Sequence, residues 1–210
     1  MKAKITRGRS FGGLAAYVCS DAKGMEWVDG TVTDATIDLT AMVAELTEPS
    51  RKRVGRKIEK PVWHCSLALP EGEMLSREKW AEVVRGFLGK MGFKGDYAWA
   101  AIRHRDTPHD HVHIILNRVA LSGEVWTGQW EARRAIMATQ ELEVEFDLER
   151  TPGLTGKRAD KRPSWREINK AIREGKQPVR MRLQRLLDSA LDRKQSVRDF
   201  VLRLELVGVQ

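Results

Sequence analysis

The most constraining feature of this 210-residue chain is the position of its histidines, because four of the five lie within ten residues. They are His104, His109, His111 and His113. His111 and His113 alternate with Val112 and Ile114, so on a β-strand both imidazoles point to one face and the apolar side chains point to the other. The spacing therefore predicts a strand with one histidine face and one apolar face.

A second strand precedes this one and brings a third imidazole within reach. Residues 97–103 are typical of a strand, and residues 105–110 contain Pro and two Asp, which are typical of a turn. If the hairpin closes with His104 opposite His111, their Cβ atoms lie roughly 4.5–5.5 Å apart. The sequence thus predicts a metal site formed by His104, His111 and His113, although surface histidines on a polar hairpin are the alternative. Three neutral imidazoles with an open position suit zinc on general grounds, and the pattern leaves the ion open.

Charge is distributed unevenly along the chain. Residues 1–149 contain 21 Lys and Arg against 22 Asp and Glu, a net charge of −1, whereas residues 150–210 contain 16 against 7, a net charge of +9. A basic segment beside a balanced domain indicates a polyanionic partner, most often nucleic acid, and a solvated helical face is the alternative.

Hydropathy and cysteine content exclude several classes of protein. No apolar run approaches the roughly 18 residues of a membrane span, and the amino terminus lacks the apolar stretch of a signal peptide. We therefore expect a cytoplasmic protein without membrane insertion. The two cysteines, Cys19 and Cys65, are too few for a disulfide framework and are expected to be small core thiols.

The periodicities along the chain predict an α+β fold with a central, mostly antiparallel sheet flanked by helices. Strands are predicted at residues 2–6, 61–69 and 122–126 and in hairpins at 24–33 and 97–119, and helices at 14–20, 39–46, 76–92 and 129–146. Residues 150–163 are rich in Gly, Pro, Lys and Arg, which is typical of a linker. We expect one domain over residues 1–149, this basic linker over 150–163, and a basic helical extension over 164–210.

The chain has only two tyrosines, which limits the candidates for a tyrosine nucleophile. Tyr97 begins a strand on the face opposite to His104, so packing is its expected role. Tyr17 follows a Gly-rich segment, residues 7–13, and lies three residues after Leu14. By periodicity alone, Tyr17 is better explained as a core residue of an amphipathic helix.

Taken together, these motifs resemble a known family. The matching residues are His104 and Asp106, then His111, His113 and Asn117, after a Gly-rich segment that leads to Tyr17. This arrangement resembles the relaxases of conjugative and mobilisable plasmids, the single-tyrosine MobA/VirD2-like branch of the HUH endonucleases. The resemblance extends over residues 2–148.

The resemblance implies a site- and strand-specific DNA-nicking and rejoining enzyme that cleaves single-stranded origin-of-transfer DNA to start plasmid transfer. It implies that the three histidines bind a divalent cation, Mg²⁺ or Mn²⁺ in practice. It also implies that Tyr17 attacks the phosphodiester to form a 5′-phosphotyrosine intermediate. Asp106 is expected to accept a hydrogen bond from a ligand histidine or to act as a base near Tyr17, and a role as a turn residue alone is the alternative. The expected partners are the origin DNA, accessory relaxosome proteins and a coupling protein.

Two other functional classes remain open at this point. A histidine-triad-type nucleotide hydrolase uses its alternating histidines without a metal, and a non-enzymatic DNA-binding module with a structural metal has no need of Tyr17. Within the HUH enzymes, replication initiators and transposases usually carry the two histidines before the tyrosine, which is the reverse of the order here. The remaining polar candidates are His109, expected to be a bystander in the turn, His64, expected to be a satisfied core histidine, and Asn117, expected to hydrogen-bond near the site.

Overall fold

The structure is a computed structural model and describes residues 1–20, 23–153, 163, 165–191, 201–202 and 205. The chain divides into two compact units, Met1–Leu154 and Thr155–Gln210. In chain order, the elements of the first unit are β1 (Lys2–Gly8), α1 (Phe11–Val18), β2 (Glu26–Gly30), α2 (Leu39–Lys52), β3 (Val62–Ala68), α3 (Arg77–Met91), β4 (Trp99–His104), β5 (His111–Asn117) and α4 (Glu131–Glu145).

The strands of the first unit form a five-stranded sheet in the order β1-β3-β5-β4-β2, and each neighbouring pair is antiparallel. The predicted α+β class and antiparallel sheet are therefore confirmed. The predicted β4–β5 hairpin is also present, and its register pairs His104 with His111.

The hairpin predicted at residues 24–33 is wrong, because this segment supplies only the edge strand β2. Asp29 and Gly30 have the composition of a turn, yet Gly30 lies opposite Ala100 within the β2–β4 pairing. A Cβ on Gly30 would lie 2.8 Å from the Trp27 ring, so glycine is required here by close packing rather than by a turn.

Helices cover both faces of the sheet. On one face, α3 and α4 pack against the alternate residues of β3 and β5 that point toward these helices. Together they form a core that includes Trp63, Leu67, Val112, Ile114 and Leu116. On the other face, α1 and α2 pack on Val62, Ala100, Ile102 and Ile115. The second core occupies only part of its face, and the histidines lie on the remainder.

Helix α1 begins and ends earlier than predicted, and helix α2 ends later than predicted. Ser10 caps α1, since its Oγ accepts a hydrogen bond from the Gly13 N–H at 3.3 Å, and the helix therefore begins inside the Gly-rich segment. Helix α2 continues past the buried Pro49 to Lys52. Asn117 lies beneath this part of α2 and donates to the Leu46 carbonyl at 2.8 Å. Asn117 thus anchors α2 to the sheet, and the prediction that it hydrogen-bonds near the histidine site is wrong.

In the second unit, helices α5 (Trp165–Glu174) and α6 (Val179–Leu191) agree with the predicted helical extension. The Arg180 guanidinium lies 3.3 Å from the Glu167 carboxylate and links the two helices. Most of the predicted linker, at 154–162, and most of a third predicted helix, at 196–206, lie outside the described residues. No helix within the described part of the chain has the length and apolarity needed to cross a membrane.

Candidate active site

The three predicted ligands, His104, His111 and His113, converge at the open end of the sheet face that α1 and α2 partly cover. Each offers one ring nitrogen, and these three nitrogens all lie within 4.8 Å of one another. All three side chains are buried. The hairpin register therefore brings the imidazoles together as the alternation in the sequence predicts.

Hydrogen bonds to backbone carbonyls orient two of the rings. His104 Nε2 lies 2.7 Å from the Val18 carbonyl oxygen, and His111 Nδ1 lies 2.9 Å from the His109 carbonyl oxygen. Because a carbonyl only accepts, these nitrogens carry protons, and in the neutral form of each ring the lone pair lies on His104 Nδ1 or His111 Nε2. His104 Nδ1 is buried and has no hydrogen-bond partner within the described residues. An orphaned lone pair beside two further imidazoles is the donor arrangement that a cation satisfies.

The third predicted ligand, His113, is oriented by a fourth histidine. His113 Nδ1 lies 2.8 Å from His64 Nε2, and His64 Nδ1 lies 3.2 Å from Thr6 Oγ1. When Nδ1 of each ring carries the proton, His113 donates to His64 and His64 donates to Thr6, which leaves His113 Nε2 free for the cluster. His64 is therefore hydrogen-bonded, as predicted, but its partner is a member of the predicted metal site.

Burial favours the neutral form of His113, His64 and His104. Desolvation, followed by the nearby His104 and His64, lowers the pKa of His113 to about 3. Desolvation and the charge of Lys4 lower the pKa of His64 to about 4, and burial also lowers the pKa of His104. A neutral imidazole is the form that binds metals, so the site is ready for a cation near neutral pH.

The position of Tyr17 follows from the same hydrogen bond that orients His104. That bond ends on Val18, the last residue of α1, and the preceding Tyr17 ring lies 6.2 Å from the His113 ring at an interplanar angle of 90°. Tyr17 is 53% exposed, whereas Tyr97 is 6% exposed and packs edge-on against Phe93. The buried side of α1 consists of Phe11, Ala15 and Val18, so the core position that periodicity favours for Tyr17 is wrong.

A lysine and an aspartate complete the site beside Tyr17. Lys23 Nζ lies 3.8 Å from the centroid of the Tyr17 ring and 3.6 Å from Asp106 Oδ2, while Asp106 Oδ1 lies 3.5 Å from His111 Nε2. The ring nitrogens that point away from the cluster hydrogen-bond to two backbone carbonyls and to His64. Asp106 is therefore not the acceptor for any of these three ring nitrogens. Lys23 was not predicted, since a single lysine in a loop has no periodicity. The backbone of Lys23 is positioned beside the turn because the Arg105 N–H donates a hydrogen bond to the Lys23 carbonyl at 3.0 Å.

His109 does not join the cluster through its side chain. It is exposed in the turn, and only its carbonyl contacts His111. The histidine-triad alternative needs His109 beside His111 and His113, whereas the structure places His104 there.

A buried ion pair closes the base of the turn between the ligands. The Arg103 guanidinium donates to both carboxylate oxygens of Asp110, at 2.7 Å and 2.8 Å. The Trp80 indole N–H donates to the same carboxylate at 2.9 Å. These contacts hold the residues next to His104 and His111, and so they fix the spacing of the two ligands.

Comparison with known proteins agrees with this geometry. The model of the family "Relaxase: MobA/VirD2-like, nuclease domain" matches residues 17–148, and the chain belongs to this family. It is therefore a DNA-binding nuclease of the kind that nicks DNA in plasmid mobilisation.

One solved structure, described as the molecular basis of vancomycin resistance transfer in Staphylococcus aureus, has a chain with 10% sequence identity and a TM-score of 0.44. The alignment covers 75% of this chain and 98% of that one. No curated protein sequence matches the chain.

Proposed function

We propose that this protein cleaves and rejoins single-stranded DNA at an origin of transfer, with Tyr17 as the nucleophile. The observation that carries the proposal is the position of an exposed phenol beside three buried imidazoles. Tyr97 is packed in the core and is not accessible to a DNA strand.

The proposed reaction is a transesterification. Tyr17 Oη forms a bond to the scissile phosphorus, and the bond from phosphorus to the 3′ oxygen breaks. The upstream strand leaves with a 3′ hydroxyl, and the downstream strand stays attached as a 5′-phosphotyrosine. Because the new ester conserves the energy of the broken one, the 3′ hydroxyl can reverse the step and reseal the strand without ATP.

Lys23 and Asp106 are proposed to assist the phenol. A phenol with a pKa near 10 is a weak nucleophile at neutral pH, so it needs a base and stabilisation of its anion. The Lys23 ammonium over the ring face stabilises the phenolate. Asp106, which is paired with Lys23, is the carboxylate we expect to receive the phenol proton and return it to the departing 3′ oxygen.

His104, His111 and His113 are proposed to hold Mg²⁺ or Mn²⁺. A divalent cation bound there supplies Lewis-acid stabilisation of the charge on the phosphate oxygens. Mg²⁺ and Mn²⁺ are proposed from the family resemblance, since three imidazoles by themselves also suit zinc.

The proposal extends to the rest of the chain and to its partners. Residues 1–149 are the catalytic domain, residues 150–163 the basic linker, and residues 164–210 a basic extension that adds contacts to phosphates. Accessory relaxosome proteins and a coupling protein are the proposed protein partners, and the cytoplasm is the proposed location.

The test uses a single-stranded origin oligonucleotide labelled at either end. We expect the fragment downstream of the cut to migrate with denatured protein, the upstream fragment to be released, and a chelator to stop both. A histidine-triad hydrolase would instead hydrolyse nucleotides in the presence of the chelator, and a non-enzymatic binding module would yield no adduct. Either result would contradict the proposal.

A further inference from the structure

A basic groove lies at the amino-terminal end of α1, away from the histidines. It is a cavity of about 890 Å³, and its charged lining consists of Arg9, Arg51, Arg56, Lys57 and Glu59. Within the described residues none of the four cationic side chains forms a salt bridge with a carboxylate, although the charge of Arg51 acts on Glu48. Four cations and one acid around a cavity of this size favour a polyanionic occupant.

The side of α1 that joins this groove to Tyr17 is exposed and carries only small residues, namely Gly12, Gly13 and Ala16. A Cβ on Gly12 would meet Val43 at no less than 3.9 Å, and a Cβ on Gly13 would meet Ser10 at 3.7 Å. Packing within the protein therefore does not require glycine at these two positions. The helix surface between the groove and Tyr17 is open to a second backbone.

The spacing suits a nucleic-acid strand. From Phe11, at the groove, to Tyr17 the helix rises about 9 Å at 1.5 Å per residue. At the roughly 3.4 Å per nucleotide of a stacked strand in a duplex, about three nucleotides span that distance, and a more extended single strand needs fewer. A strand with a phosphate at Tyr17 therefore reaches the groove within a few nucleotides.

We propose that the basic groove binds the phosphates of the DNA strand that flanks the cut, with the strand lying against the small-residue side of α1. The position of the cut rests on the proposed role of Tyr17, whereas binding in the groove does not. An acidic protein segment is the competing occupant, and it predicts no effect of the groove on DNA affinity.

The first test changes charge. Full-length Tyr17→Phe protein is titrated, without metal, with a mixed-sequence single-stranded oligonucleotide over a salt series. Adding Arg51→Gln and Lys57→Gln should reduce the slope of log K against log salt by about 1.4, because each contact to a single strand releases about 0.7 counterions. The matched variant with Arg77→Gln and Lys94→Gln, both exposed and outside the groove, should keep the slope. A groove variant with the unchanged slope would overturn the proposal.

The second test blocks the path without changing charge. Ala16→Gln adds a long side chain to the exposed side of α1 at little cost in helix propensity, and it should weaken binding of the same oligonucleotide. Ala132→Gln, on the exposed side of α4, is the matched control and should bind as the parent protein does. Full affinity in the Ala16→Gln variant would contradict the proposed path. Adduct formation by the wild type is measured separately, so failure of Tyr17 as nucleophile is distinguishable from failure of the groove.

Discussion

The two faces of β5 share one backbone but have opposite roles. On one face, Val112, Ile114 and Leu116 are fully buried beneath α3 and its neighbours. On the other face, His111 and His113 are also buried, but their side chains are polar. Hydrogen bonds to the His109 carbonyl and to His64 orient them. Each of these two predicted ligands is thus flanked along the strand by an apolar residue whose burial stabilises the fold.

This difference shows where stability and chemistry separate. Burying a neutral imidazole costs free energy, which the histidines recover only in part through single hydrogen bonds. The apolar face contributes about 25 cal/mol for each Å² that it removes from water. We therefore expect substitutions on the two faces to have different consequences.

The largest effect is expected on the histidine face. Replacing both His111 and His113 with Ala should abolish Mn²⁺ binding and reduce strand cleavage by more than about a hundredfold, because a bound cation contributes several kcal/mol to the transition state. Calorimetric titration with Mn²⁺ and a cleavage assay measure the two losses. His109→Ala removes an exposed imidazole from the same turn and should retain both activities. Mn²⁺ binding at full affinity by the double variant would rule out the site.

The apolar face should respond in the opposite way. Ile114→Ala leaves a cavity in the core and should lower the free energy of unfolding by about 2–5 kcal/mol, while the folded protein binds Mn²⁺ normally. Urea denaturation and calorimetry measure these quantities. Ile37→Ala is the matched control, since Ile37 is 81% exposed, and it should change stability little. Equal destabilisation by both variants would remove the proposed distinction between the faces.

A smaller effect is expected behind the ligands. His64→Leu removes the acceptor that orients His113 and should weaken Mn²⁺ binding by about 10–100-fold, as is typical when a partner of a ligand is lost. Thr6→Val, one hydrogen bond further away, should weaken binding less. If the His64→Leu variant has wild-type Mn²⁺ affinity, the hydrogen bond between the two imidazoles does not orient the ligand.

The smallest effect concerns acid stability of the metal-free protein. The pKa of His113 is about 3 in the folded protein and 6.5 as its ordinary value, so below about pH 6.5 the unfolded chain binds the extra proton. The contribution of His113 to the free energy of unfolding is therefore fully present above that pH and declines as the pH falls toward 3. At pH 6 the loss from this group is about 1 kcal/mol. His113→Leu should flatten this decline in urea denaturation. A decline as steep as that of the wild type would show that His113 is not the group responsible.

The clustering of the three histidines is predictable from the sequence, because alternation in a strand and a short hairpin are local properties. The sequence pattern is insufficient where a glycine has two explanations. Gly30 has the composition of a turn residue, but it lies in β2, where the Trp27 ring leaves no space for a Cβ. The sequence pattern also predicted the wrong side of α1 for Tyr17, because Phe11 extends the helix and defines its buried face.

The contacts that complete the site depend on tertiary structure. The alternation in β3 places His64 on the histidine face, but its bond to His113 depends on the angle of both rings. Lys23 and Asp106 come together only when the loop before β2 bonds to the turn after β4. Neither contact has a periodic signature.

The most direct test of the account compares the two tyrosines. Wild-type protein and the Tyr97→Phe variant, incubated with a single-stranded origin oligonucleotide and Mn²⁺, should each form a denaturation-resistant adduct through the 5′ phosphate. Tyr17→Phe removes one oxygen from an exposed ring, so it should fold, bind Mn²⁺ and bind DNA while forming no adduct. An adduct formed by Tyr17→Phe at the wild-type rate would contradict the assignment of Tyr17 as the nucleophile.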